Sequence, residues 1–354
     1  MRITQPYIAK NQNIFIGLDD SKKSWKICVR SNNLTLHETS LPAQYKNLSA
    51  YLQHHFPECN ITLLYEAGFR GFNLYDHLTA DGIKCIVTPP NKVTTEKDFR
   101  YKNDHTDCRR LAKILETGDY KECFVPDPER RQDRQVSRTL VQIQKDIIVT
   151  RNRIRKFLEY HGIDENLKPG RWNESDYNAL KSLKLEETLQ FCLDILLQQL
   201  DRLKSVHRLL FHKLREIREK PRYMKTFNLF ESAPGIGWLT AIRLVLEWGE
   251  DLSRFQSDKQ FGSFLGLVCS EYSTGESIRY GHITRQSAYF IRAWLIQCAW
   301  VAVNRDPALN RKYQQVMINS GNKKKAIVAV ARKLAIRLRH CALTNEPYCI
   351  GVLQ

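Results

Sequence analysis

The sequence predicts an α/β domain followed by an all-α remainder. Strand and helix signals alternate over residues 14–120, an apolar heptad spacing runs through residues 129–220, and short helical segments fill residues 222–345. The chain has 354 residues, enough for two or three domains, and its 42% apolar residues can build ordinary cores. We therefore expect domains at residues 1–125, 126–221 and 222–354.

The first block has the pattern of a mixed sheet with helices between its strands. "IFIGLD" is a short apolar run that ends in an acid, and "WKICVR" alternates by twos, with Trp25, Ile27 and Val29 on one side. "LTLHE" is a candidate hairpin partner for it. The rest of the block predicts a helix at residues 45–55, the strand "ITLLYE", a helix at 72–79, the strand "KCIVT" and a helix at about 104–117.

The middle of the chain predicts two long helices. Six positions keep a 4–3 spacing, with Arg151 in one slot of the seam: Val136, Leu140, Ile143, Ile147, Ile154 and Leu158. After a loop containing "KPGRWNESD", the spacing returns from Leu189 to Ile217. This favours a coiled coil, as a hairpin or between subunits, and hence a homo-oligomer. His207 falls in the seam, where we assign it no chemistry.

The composition narrows the class of partner. Lys and Arg total 55 against 38 acids, a net charge of +17, which favours a polyanion such as nucleic acid over a merely soluble basic protein. Ten scattered cysteines without a C-x-x-C pair indicate reduced thiols in a cytoplasmic protein, not a zinc site. The polar N-terminus is unlike a signal peptide, and no apolar stretch is long enough to span a membrane.

Four acids form a candidate catalytic and metal site. Asp19 and Glu66 each end a predicted strand, so both emerge at one sheet edge if those strands are parallel neighbours. Asp104 and Asp107, at i and i+3, share one face of a helix. Such a cluster selects Mg²⁺ or Mn²⁺, and two ions can clamp a scissile phosphate. Nearby bases would hold the nucleic-acid backbone: Arg100, Lys102, Arg109 and Arg110.

Other interpretations of the same acids remain open. Asp104 and Asp107 alone are typical of helix capping and of acids that complement the helix dipole. An acid at one strand end commonly serves a turn. Asp20 competes with Asp19, which we prefer because it directly ends the apolar run. The order of all four acids favours the metal site.

The last third of the chain holds further candidates for nucleic-acid binding. "SAPGIGWLTA" fits a helix-hairpin-helix in which Gly235 and Gly237 allow a tight turn and backbone N–H groups face a phosphate; an ordinary helix connection is the alternative. Residues 301–340 carry ten basic residues against one acid, Asp306. "NKKKAIVAVARKLAIRLRH" predicts a basic amphipathic helix, for which nucleic acid is favoured over a membrane surface. Phosphate candidates, or solvated charges, are Arg279, Arg285, Arg292, Lys323, Lys324 and Lys325.

These motifs together resemble a known family. "IGLDDSKKSWKICV", "YEAGFRG" and "YKNDHTDCRRLAKIL" resemble the DEDD transposases of bacterial insertion sequences, namely the hundred-and-ten family with its eleven-eleven subgroup, which includes the Piv and MooV invertases. The matching order is Asp19, Glu66, Asp104, Asp107. "SAPGIGWLTAIRLV" and "FGSFLGLVCSEYSTGESIRYGHITRQSAYFIRAWLIQCAW" resemble the family's second block. The resemblance covers most of the chain outside the helical middle.

The resemblance implies a fold and an activity. It implies an RNase H-like fold shared with the RuvC resolvase, Mg²⁺ on the four acids, and DNA cleavage and rejoining through a serine in the C-terminal domain. It also implies a noncoding bridge RNA that pairs with donor and target DNA, and a dimer or tetramer. Many relatives have Ser-Gly at the nucleophile, whereas "EYSTGES" has Thr274 before Gly275.

We therefore take Ser273 as the nucleophile and Thr274 as the alternative. Taken without the resemblance, "YSTGES" is typical of a polar turn. The alternative activity is that of a Holliday-junction-type nuclease, which would hydrolyse DNA with the same four acids.

Overall fold

The computed structural model describes residues 10–90, 104–163, 172–274, 277–284 and 289–351, without the side chains of residues 104–106 and 272–280. The chain divides into two compact units, Met1–Val125 and Pro126–Gln354. The first unit holds a five-stranded sheet, and the second is mostly helical. The predicted class of a mixed α/β unit with a helical remainder is confirmed at this level. The division into three domains stays a prediction.

The first unit is a mixed sheet in the strand order β3-β2-β1-β4-β5. Strands β1, β2 and β3 pair antiparallel, whereas β4 is parallel to β1 and β5 is parallel to β4. The bounds are β1 (Asn13–Asp20), β2 (Ser24–Ser31), β3 (Leu34–Pro42), α1 (Tyr45–His55), β4 (Asn60–Glu66), α2 (Asn73–Ala80), β5 (Lys84–Thr88) and α3 (Asp104–Thr117). Each element that the sequence predicts in this block is present.

Helix α3 lies directly on the sheet at Gly17. A Cβ atom on Gly17 would stand 2.2 Å from the carbonyl oxygen of Cys108 and 2.3 Å from the amide nitrogen of Ala112. Phe15, two residues earlier on the same face of β1, packs against the cluster of Leu111 and Leu115. Helix α3 therefore runs antiparallel to β1, and its first turn lies toward the end of β1 at Asp19.

The second unit begins with two long helices packed against each other. The bounds are α4 (Pro128–Tyr160), α5 (Glu174–Ser182) and α6 (Glu187–Arg218). Helices α4 and α6 contact each other within one chain, as the hairpin alternative requires. Fully or nearly buried positions of the predicted seam are Leu140, Ile147, Ile154 and Leu158 on α4 and Leu193, Leu200, Leu214 and Ile217 on α6. Helix α5 was not predicted; it begins after Asn173, whose side chain accepts a hydrogen bond from the Asp176 amide.

The remainder surrounds one hydrophobic core. The bounds are α7 (Pro221–Glu231), α8 (Trp238–Trp248), α9 (Asp258–Phe264), β6 (Cys269–Thr274), β7 (Ser277–Ile283), α10 (Tyr289–Val303), α11 (Pro307–Ser320) and α12 (Lys323–Thr344). The antiparallel pair β6–β7 corrects the all-helical prediction for this region. Pro221 does more than end the previous helix, because it opens α7.

A buried carboxylate ties the C-terminal segment to this core. Asp306 is fully buried and accepts hydrogen bonds from Arg337 Nη1 at 2.6 Å, from the Tyr348 hydroxyl at 2.5 Å and from the Gly351 amide at 3.2 Å. The same carboxylate caps α11 through the Ala308 amide. Asp306, the one acid in the basic stretch of residues 301–340, therefore connects α11, α12 and the C-terminal segment.

The cysteines range from buried to exposed. Five of the ten are buried, two are half-buried and three are exposed. Within the described ranges, no helix combines the length and the apolar character that a bilayer crossing requires.

Candidate catalytic site

Asp19 and Glu66 reach the same edge and the same face of the sheet. Leu18 of β1 is the parallel partner of Tyr65 of β4, so the next residues on the two strands stand at the same level. Leu18 and Tyr65 belong to the core on the α1 side. Because side chains alternate along a strand, Asp19 and Glu66 point to the opposite side, where α3 lies. Both are half-buried, as the predicted edge site requires.

Arg110 connects an acid of the sheet to an acid of the helix. Its Nη2 atom lies 3.1 Å from Glu66 Oε1 and 3.5 Å from Asp107 Oδ1. All three side chains are about a third exposed or less, at 27% for Arg110, 32% for Glu66 and 29% for Asp107. One guanidinium nitrogen is therefore shared by carboxylates that are 41 positions apart in the chain.

Asp19 is electrostatically coupled to the same turn of α3. Burial raises the pKa of the Cys108 thiol to about 11, and the Glu38 and Asp19 carboxylates add to that shift. Cys108 directly follows Asp107. Asp104 lies in the first turn of α3, but its side chain is outside the described part of the chain. The structure thus brings Asp19, Glu66 and Asp107 to one region.

Asp20 has a different environment. Its Oδ1 atom accepts a hydrogen bond from the Trp25 indole at 2.6 Å and stands 3.2 Å from Arg70 Nε. Burial raises the pKa of this carboxyl group, against the effects of the indole and the guanidinium. Asp20 is thus held by two structural partners on the face opposite to Asp19, which favours Asp19 as the site residue.

The donor set suits a hard divalent cation. Carboxylate oxygens are the ligands that Mg²⁺ and Mn²⁺ take, and a positive group already stands between two of them. The Arg110 Nε atom is buried and has no hydrogen-bond partner, so the guanidinium fits this place only in part. Among the side chains that the structure describes, which exclude Asp104, no three or more His, Cys, Asp or Glu residues are grouped so that they could hold a metal ion.

Arg109 is already paired. Its Nε and Nη2 atoms each donate to one oxygen of Glu38 on β3, both at 2.6 Å. The Glu38 carboxylate correspondingly raises the pKa of the Arg109 guanidinium. This bidentate pair would have to open before Arg109 could hold a phosphate. Arg100 and Lys102, the other predicted contacts here, lie outside the described residues.

The predicted nucleophiles lie at the end of a strand. Ser273 and Thr274 are the last residues of β6 and pair with Ile278 and Ser277 of β7. Their backbone is therefore extended, and the polar-turn alternative for this segment falls on residues 275–276, which lie outside the described residues. Their side chains and that of Arg279 lie outside the description, as does all of Arg285.

Arg292 braces the base of this hairpin. Its Nη1 atom donates to the Thr284 carbonyl at 2.9 Å, and a longer contact of 3.5 Å reaches the Gly266 carbonyl. Backbone carbonyls therefore already hold one end of the guanidinium. The sequence suggests a phosphate contact for Arg292, and no local pattern in it predicts these bonds to backbone carbonyls.

The two glycines of "APGIG" differ in their surroundings. Gly235 has φ +85°, and a Cβ atom there would stand 2.5 Å from the Cys298 carbonyl oxygen of α10. Close packing and a left-handed backbone therefore explain this glycine. Gly237 precedes α8 as its exposed N-cap, and no atom lies within 4 Å of where its Cβ would be. Of the two, only Gly237 leaves room for a phosphate.

Lys323, Lys324 and Lys325 form the exposed first turn of α12. The Asn322 side chain caps this turn by accepting hydrogen bonds from the amides of Lys324 and Lys325. Positive side chains at a helix N-terminus oppose the helix dipole. Local helix energetics therefore do not explain these three lysines.

The role of Arg110 among the acids was missed from the sequence. It was grouped with the backbone-holding bases because it follows Arg109 in a basic run. The available signal was its spacing of i+3 from Asp107, which places the two side chains on one helix face. The contact with Glu66 depends on the packing of α3 on the sheet and has no local signal.

Comparison with known families gives two matches. A DEDD transposase model matches residues 16–162, which include most of β1 and all of β4 and α3. A second model, described as the transposase IS116/IS110/IS902 family, matches residues 227–314, which include β6 and β7. Each match covers one of the two regions that carry the candidate site residues.

Individual relatives are similar over most of the chain. A putative transposase, y4rJ, of Sinorhizobium fredii is 26% identical over 92% of this chain and 90% of its own length. A second from that organism, y4qE, is 24% identical over 83% and 73%. The transposase for insertion sequence element IS1533 of Leptospira borgpetersenii is 26% identical over 67% and 70%.

Proposed function

The chain belongs to the IS110 family of DEDD transposases, enzymes that cut and transfer DNA, and from this premise we propose a chemical mechanism for it. The enzyme cleaves and rejoins DNA through a serine hydroxyl, with a divalent cation on its acids. The residues of this proposal are Asp19, Glu66, Asp104 and Asp107 as metal ligands, and Ser273, with Thr274 as the alternative, as nucleophile. One observation carries the metal site: a single nitrogen of Arg110 lies within 3.5 Å of both Glu66 and Asp107.

The protein contributes to the acidic site by positioning the carboxylate side chains. The close approach of α3 to Gly17 fixes the distance from helix to sheet, and β-strand alternation turns Asp19 and Glu66 toward that helix. When bound, Mg²⁺ or Mn²⁺ would stabilise the negative charge that develops on the reacting phosphate. The carboxylates would hold that ion, and Arg110 would be free to turn to a phosphate oxygen.

The proposed chemistry has two balanced steps. The serine hydroxyl loses its proton to a base and its Oγ attacks phosphorus, so that a phosphoserine bond forms and the bond from phosphorus to the leaving DNA oxygen breaks. The leaving oxygen takes up a proton, and the strand departs as a free hydroxyl end. A DNA hydroxyl then attacks the phosphoserine, restoring the phosphodiester and the serine. The bond energy of the broken phosphodiester is thus retained without an external energy source.

We also assign the first unit to the RNase H-like folds. Its order β3-β2-β1-β4-β5, with three antiparallel strands followed by two parallel ones, supports this assignment. So does the presence of acids on β1, on β4 and on a following helix. Guidance by a bridge RNA rests on the family resemblance alone.

Self-association through the helical hairpin is a further part of the proposal. Phe191 and Leu209 of α6 are 67% and 72% exposed, so this long helix presents large apolar side chains that a partner could cover. A coiled coil with another subunit would cover such residues and yield a dimer or tetramer.

The proposed nucleic-acid contacts fall into two groups. Gly237 and the three lysines that open α12 are exposed and lack a structural explanation. Arg109, Arg292 and Gly235 already have structural partners, so any contact they make with nucleic acid is additional. The remaining predicted contacts lie outside the described side chains: Arg100, Lys102, Arg279 and Arg285.

The test is the search for a covalent adduct. Purified protein, its element's DNA and RNA, and Mg²⁺ are mixed, and protein-linked DNA is detected on denaturing gels. We expect Ser273→Ala to abolish the adduct and Ser270→Ala, on the same strand, to leave it. Loss in Thr274→Ala alone would move the nucleophile by one residue.

Cleavage without any adduct would favour the junction-nuclease alternative. Asp107→Asn should abolish cleavage and leave DNA binding within a few-fold, because only the metal ligand is lost. Unchanged turnover in that variant would remove the metal-site proposal.

A further inference from the structure

A basic groove runs between α4 and α6 in the second unit. Its volume is about 720 Å³, and its walls include Gln144 and Arg151 of α4 and Lys204, His207 and Arg208 of α6. None of these residues belongs to the site proposed above. His207 is the histidine that falls in the predicted seam of the two long helices.

The charges of the groove are unbalanced. Three cations, Arg151, Lys204 and Arg208, line it against a single carboxylate, Asp201. That carboxylate stands 3.5 Å from Lys181 Nζ, a fourth cation. Within the described part of the chain, none of the three lining cations forms a salt bridge. An excess of like charge of this kind is unfavourable until an anion neutralises it.

Aromatic rings hold two of these cations in place. The Lys204 ammonium lies 3.9 Å from the centre of the Tyr177 ring, and the Arg151 guanidinium lies 5.5 Å from that of Trp172. Burial lowers the pKa of Lys204; the Asp201 carboxylate opposes this shift, whereas repulsion from Arg151 and Arg208 adds to it. The cations are therefore ordered and crowded, as in a preformed anion site, and not dispersed into solvent.

A buried positive charge, that of Arg243, lies beneath the residues that line the groove. Arg243 of α8 is only 5% exposed, and its Nη2 atom donates to Gln144 Oε1 at 3.1 Å. Gln144 Nε2 in turn lies 3.3 Å from His207 Nε2. Among the described side chains no carboxylate pairs with Arg243, and its Nε atom has no hydrogen-bond partner. Burial lowers the pKa of this guanidinium to about 10.

The unpaired charge of Arg243 argues that the positive character of the groove is not merely a random distribution of surface charges. A buried charge without a counter-ion is costly, and the usual structural solution is a carboxylate partner. Here the chain supplies an amide and the ring of Trp294, 4.8 Å away, instead. An anion bound in the groove would provide the missing negative charge across a single layer of side chains.

A second copy of this chain is the competing occupant. Ile148, which also lines the groove, is 57% exposed, so an apolar contact is available. A symmetric contact through the groove, however, would bring together two surfaces that each carry a net positive charge. The charge of the groove therefore favours a polyanion over another copy of the same surface.

We propose that the groove between α4 and α6 binds the phosphate backbone of a nucleic-acid strand. The proposal rests on the chain acting on nucleic acid and adds a contact away from the acids and the serine. Arg151, Lys204 and Arg208 contact phosphate oxygens, and Gln144 and His207 supply hydrogen bonds. RNA and DNA share this phosphate chemistry, so the experiment separates them.

The test compares charge-neutralised variants in binding alone. The triple variant Arg151→Gln, Lys204→Gln, Arg208→Gln is measured against Arg153→Gln, Arg202→Gln, whose exposed arginines lie elsewhere on the same two helices. Fluorescence anisotropy with labelled single-stranded RNA, single-stranded DNA and duplex DNA is recorded in EDTA at several salt concentrations. EDTA removes any dependence on the metal site, so this binding is read out independently of cleavage.

We expect the triple variant to lose at least tenfold in affinity for one of the three probes. Its plot of log K against log salt should flatten by roughly two units, because each lost phosphate contact contributes about 0.7–0.9. The probe most affected identifies the strand type. The control should stay within twofold of wild type.

Two results overturn the proposal. One is equal affinity of the triple variant and the control for all three probes while wild type binds. The other is unchanged nucleic-acid binding with an altered mass in light scattering, which would assign the groove to a second copy. Arg208→Gln alone guards against a folding defect, because Arg208 is exposed and its one hydrogen bond within the described residues goes to the Ser205 hydroxyl. This variant should show about a third of the salt-slope change. Cleavage data are separate, so a failed adduct test leaves this result interpretable.

Discussion

At the scale of single residues, Arg110 acts as an internal cation among the acids. It neutralises part of the repulsion between Glu66 and Asp107, and a metal ion must compete with it. Two partly exposed ion pairs of ~0.5 kcal/mol each correspond to roughly a fivefold change in a binding constant. We therefore expect Arg110→Gln to bind Mn²⁺ about fivefold more tightly than wild type in calorimetric titrations without nucleic acid.

Arg109→Gln is the matched control for that measurement. It removes the same charge from the neighbouring position, but its partner is Glu38, away from Glu66 and Asp107. Its Mn²⁺ affinity should remain within twofold of wild type. Equal affinity in both variants would show that Arg110 does not compete with metal, whereas no Mn²⁺ binding in any protein would contradict the metal site itself.

Asp306 is a second residue whose partners define its contribution. Burial alone would raise its pKa, but the Tyr348 hydroxyl, the Ala308 amide and Arg337 outweigh this and leave the pKa below its ordinary value. Asp306→Asn leaves Arg337 buried without its counter-ion, which costs about 3–5 kcal/mol. Urea unfolding should show this loss.

Asp258→Asn provides the comparison for Asp306→Asn. Asp258 also pairs with an arginine of α12, Arg339; the Asp258 side chain is 55% exposed, although that of Arg339 is only 12% exposed. Arg339 keeps a second partner, the Phe255 carbonyl, when the Asp258 charge is removed. Because one partner is largely exposed, the pair should contribute ~1 kcal/mol or less, so this variant should unfold close to wild type. Similar losses in the two variants would mean that burial does not set the strength of the Asp306 pair.

At the scale of elements, the packing of α3 on β1 sets the geometry of the acids. Gly17→Ala inserts a methyl group where backbone atoms already stand 2.2 and 2.3 Å away, so α3 must shift. Overpacking of this kind costs about 1–3 kcal/mol or more, and we expect that loss in urea unfolding together with weaker Mn²⁺ binding. In Gly68→Ala the new methyl would be 3.8 Å from its nearest neighbour, so that variant should change stability by ~0.5 kcal/mol at most. A tolerated Gly17→Ala would show that helix and sheet are not in close contact.

Helices and strands whose apolar residues recur with a regular spacing could be predicted from the sequence. Elements that form only by pairing with another segment, or through a local cap, could not. The alternation of Trp25, Ile27 and Val29 and the heptads of α4 and α6 give their buried faces correctly, because burial follows the period of the backbone. Strands β6 and β7 were missed, since "CSEYST" is polar and gains its extended form from pairing with a later segment. Helix α5 was missed for a similar reason, as its start depends on the Asn173 cap inside a region that has the composition of a loop.

The same distinction applies to the candidate site, where the positions of the strand acids were predictable and the contacts made by the arginines of α3 were not. Placement of Asp19 and Glu66 at one edge follows from strand ends and parallel pairing, which the sequence indicates. The bidentate pair of Arg109 with Glu38 and the sharing of Arg110 could not be predicted, because both depend on where α3 lands on the sheet.

At the scale of the whole molecule, a net charge of +17 governs how the protein meets nucleic acid. Binding should weaken steeply with salt, because each phosphate contact releases a counter-ion. With about six contacts, the affinity of wild type for duplex DNA should fall roughly 10³-fold between 50 and 200 mM salt. Anisotropy titrations in EDTA measure this directly, and a flat profile would mean that the charge excess is unrelated to nucleic-acid binding.

The bond between Asp306 and the C-terminal segment has a consequence for proteolysis. A cut between Thr344 and Tyr348 removes the Tyr348 hydroxyl and the Gly351 amide from a carboxylate that has no access to water. The cut therefore destabilises the buried core of the helical unit as well as the exposed C-terminal segment. Limited digestion should not yield a long-lived fragment trimmed at this point: loss of the tail should commit the helical unit to complete degradation.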